Sequence, residues 1–174
     1  MVKEAFKAAE KILVGFLGKS QLQEKVKVHR ATAHFQHIRD GKVIWEGDAL
    51  NVKTTAGIDF TFAQTYGTSA QANGLNYIAL SNDALTETTA STTLSSEIAA
   101  NGLSRAQGTY AHTAGTSTAT ISKTFTCSTS SQAVQKAALF SAASSGTMHH
   151  ALSFTQRPLQ VGDQLTVTFT ITIT

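Results

Sequence analysis

The stretch QLTVTFTITIT at positions 164–174 leaves its backbone almost no choice. Leu165, Val167, Phe169, Ile171 and Ile173 alternate with threonines at every even position from 166 onward. Alternation of period two makes a strand with one apolar face, whereas a helix would scatter the same residues around its axis. Residues 119–125, ATISKTF, repeat the pattern, with Ala119, Ile121 and Phe125 opposite Thr120, Ser122 and Thr124. β-Branched residues suit such half-buried pleated surfaces. Strands are thus expected at 118–127 and 163–173, and further ones at 58–65, 76–81, 104–112, 133–141 and 147–155, with a short helical turn at 93–100, TLSSEIAA. Many short strands separated by Gly and Ser turns predict an all-β chain, an antiparallel β-sandwich or barrel-like domain.

Upstream, VKVHRATAHFQHIRDGKVIWEGDALNV reads as a long hairpin around Asp40-Gly41, a strong two-residue turn signal. With that turn, Ile38, Val43 and Trp45 are expected on one face and Phe35 and Ile44 on the other. Apolar groups on both faces call for cover on both. Residues 2–17 predict an amphipathic helix: Phe6, Ala9, Leu13 and Phe16 fall at i, i+3, i+7 and i+10, widened by Ile12 and Leu17. The stripe suits a helix packed on its own domain and suits equally an arm that reaches a neighbouring subunit. The chain therefore divides into an N-terminal helical arm, 1–25, and a β-sandwich domain, 26–174, that includes the hairpin at 26–54.

Charge is concentrated at one end. Of the 25 Lys, Arg, Asp and Glu residues, 15 lie within the first 50 positions, and the net charge is only +3. The remainder is rich in Ser and Thr. Nucleic-acid binding requires clustered Lys and Arg, which this pattern does not supply. No apolar run reaches the roughly 18 residues of a membrane span, and acids interrupt the N-terminal apolar patch, which argues against a secretory signal. A single cysteine, Cys127, excludes an intrachain disulfide and a Cys-based zinc site.

Candidate chemistry is thin. His149 and His150 are adjacent, but neighbours on a regular strand point to opposite faces, so they are not expected to chelate one metal. The expected arrangement is His150 at the edge of the core beside Met148, Leu152 and Phe154, with His149 exposed. His29, His34 and His37 share one strand, and His29 and His37 are too far apart along it to form one site. GFLGKS, residues 15–20, lacks the spacing and the preceding strand of a phosphate-binding loop. There is no G-x-S-x-G elbow for a serine nucleophile. Cys127 reads as a small buried residue. Asp83, Glu87, Glu97 and Asp163 are scattered, with no spacing that pairs them. No catalytic residue, cofactor or metal ligand is expected, and the chain is not expected to be an enzyme.

From about residue 76 onward, the order of segments resembles a family of small structural proteins of tailed bacteriophages, associated with the virion or tail. The resemblance rests on YIALSNDALTETTASTTLSSEIAANGLSRA, on ISKTFTCSTSSQAVQKAALFSAASSGTMHHALSF and on VGDQLTVTFTIT. Leu94 and Glu97 match the family's L-x-x-E turn, Arg105 its basic position, and Leu139, Phe140, Gly146 and Thr147 its later segment. Ala138 stands where glycine is frequent and Lys136 where an acid is often seen. The resemblance implies a virion structural protein, folded in the host cytoplasm. Within that class a capsid decoration or cement protein is favoured over a tail, collar or fibre-base component. Expected partners are the major capsid protein, other virion proteins and further copies of the chain, met through Phe6, Leu13, Phe16, Phe35, Ile44 and Trp45. Nucleic acid, membrane and small-molecule substrates are not expected. A carbohydrate- or receptor-binding β-sandwich, using Trp45, Tyr66, Tyr77 or Tyr110, is the competing reading.

Overall fold

The structure, a computed structural model, describes residues 30–66 and 74–172. The expected helix at 2–17, the arm at 1–25 with Phe6, Leu13 and Phe16, and His29 lie outside these residues. The hairpin is present: β1 (Arg30–Arg39) turns into β2 (Lys42–Leu50). Asp40 and Gly41 have φ of 49° and 73°. Two left-handed residues form the turn whose twist matches that of paired strands. After β3 (Val52–Lys53) comes one helix, α1 (Thr55–Tyr66). Then follow β4 (Tyr77–Ser81), β5 (Ala106–Gln107), β6 (Thr109–His112), β7 (Thr118–Thr126), β8 (Gln132–Phe140), β9 (Met148–Leu159) and β10 (Gln164–Thr172). They form two five-stranded antiparallel sheets, ordered β2-β1-β10-β7-β6 and β3-β9-β8-β4-β5.

β10 behaves as its alternation dictates. Leu165, Val167 and Phe169 are fully buried, while Thr166, Thr168 and Thr170 are half-buried on the opposite face. Antiparallel register sets Phe35 of β1 against Val167, and Ile121 of β7 against Phe169. These side chains meet Ile78, Leu80, Leu139 and Leu152 of the second sheet in one hydrophobic core. Burial of each large apolar side chain contributes about 1.5–3 kcal/mol. A one-residue slip of β10 would send threonines inward, so the core fixes the register. On the outer face, hydroxyl pairs Ser122–Thr168 and Thr124–Thr166, each 2.8 Å, bridge β7 and β10.

Three expectations are corrected. Residues 58–65 are helical because Thr54 caps α1: its Oγ1 accepts from Gly57 N at 3.0 Å, satisfying an otherwise orphaned first-turn N–H. The expected strand at 104–112 is broken at Gly108, where a Cβ would come within 2.7 Å of Ile121 Cγ2. Residues 93–100 form turns and one bridge from Glu97 to Ser81, with no helix. The hairpin faces also differ from expectation. A bulge between His37 and Ile38 pairs Trp45 with His37 and Val43 with Ile38, which leaves Ile44 as the extra residue. Trp45 therefore turns inward, its ring 6.1 Å from Phe154, and shares the inner side with Phe35.

Candidate functional site

A second bulge decides the geometry of the histidine pair. Leu139 lies opposite His150 and Phe140 opposite Met148, so His149 is an additional residue on β9. The bulge removes the strict alternation that separates neighbouring side chains. The two rings come to 4.2 Å between centroids at 62°, and the residues are only 3% and 1% exposed. The expectation of an exposed His149 is thus overturned. Gly57 lets α1 lie directly on this strand, since a Cβ there would be 2.7 Å from His149 Cα.

Hydrogen bonds hold both rings in place. Thr61 Oγ1 donates to Gly57 O at 2.9 Å and lies 2.8 Å from His149 Nε2. The Thr61 hydroxyl and the His149 ring thus form a hydrogen-bonded pair between α1 and β9. Asn51 Nδ2 donates to His150 Nδ1. Both rings thus tie β9 to α1 and to the segment before β3. Among the described residues, no three His, Cys, Asp or Glu side chains cluster as a metal ion requires.

In front of the pair lies a cavity of about 510 Å³ between the sheets, lined by Phe60, Leu75, Tyr110, Ile121, Leu139 and Ile171. Asn76 also faces it. Its Oδ1 is buried and meets no hydrogen-bond donor among the described residues.

Two ionic clusters account for carboxylates that appear scattered along the chain. Asp163 receives Arg39 Nε at 2.8 Å and Nη2 at 2.7 Å, His37 Nε2 at 2.7 Å and the Gln160 N–H at 2.9 Å. The Arg39 bonds hold its carboxyl well below the usual carboxylate range; burial opposes them, and Gln160 and His37 assist. The His37–Asp163 pair resembles a catalytic dyad in outline, yet both residues are buried and Asp163 is already saturated with donors. Antiparallel pairing of β1 with β10 brings them together across 126 positions, a separation no spacing motif reveals.

In the other cluster Lys136 is 0% exposed. Its Nζ donates to Glu87 Oε1 at 2.8 Å, Leu85 O at 2.9 Å and Ser95 Oγ at 2.5 Å, and lies 3.0 Å from Asp83 Oδ1. Bonds from the Ser95 hydroxyl and Lys136 hold the Asp83 carboxyl down at about 2. Burial pushes the Glu87 carboxyl up, but Lys136, Ser91 and Ser95 outweigh it and the net shift is downward. Asp83, Glu87 and Asp163 all release protons more readily when folded than in the unfolded chain, where carboxyls titrate near about 4. Stability is therefore expected to be level above about pH 5 and to fall as acid protonates them below it. Urea midpoints between pH 7 and pH 2.5 test this, and Asp163→Asn should give a less stable chain with a shallower acid limb.

Arg105, Glu97, Leu94, Phe140 and the turn at Gly146 converge as well. Arg105 pairs with Glu97 through Nε at 2.9 Å and Nη2 at 2.5 Å, and its guanidinium lies 3.5 Å over the Phe140 ring. Its Nη1 donates to Ala142 O at 3.2 Å and Ser145 O at 2.7 Å, clamping the turn that contains Gly146. Leu94 packs with Phe140 and Met148 in a second small core. This set holds the 82–105 segment on the second sheet, so its members act as fold determinants. Arg is suited to the task because one planar fork serves a carboxylate, two carbonyls and an aromatic face at once.

Cys127 is fully buried, and burial together with the Asp163 charge pushes its thiol up, away from nucleophilic character. Phe35 is enclosed by this domain itself, stacked 4.0 Å from Phe154, so its cover is intramolecular. Trp45 is half-buried, with Arg157 4.7 Å over its ring. Ile44, by contrast, is 48% exposed and Leu50 81% exposed, on β2 at the edge of its sheet. Among the described residues no helix is long and apolar enough to cross a membrane. No family model, curated protein or solved structure matches this chain.

Proposed function

We propose that the chain is a structural protein of a bacteriophage virion, a β-sandwich that decorates or cements the capsid through subunit contacts. The observation that carries this reading is β2. It is a nine-residue strand at the outer edge of its sheet, and Val43, Ile44 and Leu50 are exposed along it. An edge strand presents unpaired N–H and C=O groups that a neighbouring chain can extend, and the exposed apolar side chains add contact area. The other edge strands, β3 and β5 in one sheet and β6 in the other, span only two, two and four residues. The resemblance in the 76–172 region is the second ground for this reading.

Cement function follows from geometry of this kind when strand addition and apolar burial join adjacent capsomers. The expected result is that Ile44→Asp combined with Val43→Asp leaves the isolated domain folded but lowers its incorporation into particles at least about tenfold, as loss of a small apolar contact cluster would. Deleting residues 1–20 is expected to reduce incorporation similarly. Quantitative gels of purified particles measure both. Normal incorporation of both variants would sink the proposal. Density for the chain at a tail, collar or fibre base in an intact particle would move it to that location.

A further inference from the structure

The geometry points to the cavity between the sheets as the seat of the chain's own N-terminal segment, residues 2–17, which enters it with the apolar stripe of Phe6, Leu13 and Phe16. The walls come from both sheets and from α1: Phe60 from the helix, Tyr110, Ile121 and Ile171 from one sheet, and Leu139 from the other. No Asp, Glu, Lys or Arg is among the described residues that line it. Such walls accept apolar side chains and reject charged ones, which would lose their hydration without a counter-charge. Volume sets the size of the occupant. A void of about 150 Å³ takes a benzene ring, so one of about 510 Å³ takes roughly three large apolar side chains. The stripe presents that number on one side of the expected helix, while Lys3, Glu4, Lys7 and Lys11 fall on the other and stay in water.

The path of the chain selects this segment. Residues 1–29 precede β1, and β1 starts beside the cavity: Arg30 lies opposite Thr172, and Ala31 opposite Ile171, which lines the wall. Ala119 of β7, on the other side of Ile171, lines it as well. The link from Leu17 to Arg30 can extend to roughly 40 Å. Paired strands are only about 5 Å apart, so the segment reaches the cavity without leaving its own domain. Tethering holds it there at high effective concentration, which favours it over the same segment of another copy. The inference concerns the free chain and does not rest on the assembly reading, which particle incorporation tests.

A nitroxide attached at Lys11→Cys, on the charged side of the segment, reports its position in the full chain; Cys127 is fully buried and escapes the reagent. The methyl signals of Ile121, Leu139 and Ile171 are expected to broaden more than those of Leu165, roughly 20 Å along β10 from Ile171. Mixing nitroxide-bearing chains with isotope-labelled chains that lack the nitroxide should give no such broadening. Leu13→Asp combined with Phe16→Asp should abolish the preference and open the cavity to a synthetic peptide of residues 1–20. That peptide should bind the double variant at least about tenfold more tightly than the unmodified chain, whose own segment competes for the cavity. Uniform broadening, broadening in the mixed sample (and so from another copy), a preference that survives the two aspartates, or equal affinity of the peptide for both chains would each overturn the assignment.

Discussion

Lys136→Met is expected to lower the unfolding free energy by about 3–5 kcal/mol, the cost of breaking a buried charge cluster by removing one partner. The ammonium is fully buried and holds Asp83, Glu87, Ser95 and the Leu85 carbonyl around one point. Methionine matches its length but donates nothing, so the Glu87 carboxylate, itself buried, is left against an apolar group. The same cluster anchors the 82–95 segment, which should loosen along with it. Adding Glu87→Gln and Asp83→Asn to Lys136→Met should recover a substantial part of the loss, because the unpaired charges go too. Urea titrations of the three chains distinguish this from a simple packing defect, which the added substitutions could not repair. A loss under about 1 kcal/mol would put the cluster in the class of solvated surface pairs.

Phe35→Ala should cost about 3–5 kcal/mol in the isolated chain, as truncation of a core aromatic does. Phe35 is fully buried, lies opposite Val167 in the β1–β10 register and stacks on Phe154. Its loss opens a cavity where the two sheets meet, and neighbours held in hydrogen-bonded strands relax only partly. Ile44→Ser offers the control: at an exposed site the change should stay within about 0.5 kcal/mol. Together the two variants separate core from interface on one hairpin. If Phe35 were covered by a neighbouring subunit, its truncation would scarcely change the melting temperature of the free chain.

Much of the fold is legible in the sequence, for reasons that are local. Thr–apolar alternation in β10 and β7 defines strands and their faces residue by residue, because the pleat has period two. Asp40-Gly41 defines the hairpin because both positions need positive φ, which Gly and Asp tolerate best. Local pattern misled where a longer-range contact outweighed it. Residues 58–65 carry Ile58 and Phe60 in strand-like alternation, yet the Thr54 cap and docking of Gly57 on β9 hold them as helix. Period-two counting also failed at Trp45 and at His149, in both cases because one bulged residue shifted the faces.

The candidate site was less legible than the fold, and the physics explains the gap. Sequence by itself determined two-sided strands, a hairpin with apolar residues on both faces and a weakly charged, Thr-rich composition. These follow from backbone geometry and from the partition of side chains between core and water. Only the tertiary structure decided that His37 meets Asp163, that Lys136 collects two carboxylates, and that two adjacent histidines turn together beside a cavity. Each depends on strand order, bulge position and loop closure between residues tens to more than a hundred positions apart. Such contacts are set by the packing of the whole domain, which no window of sequence contains.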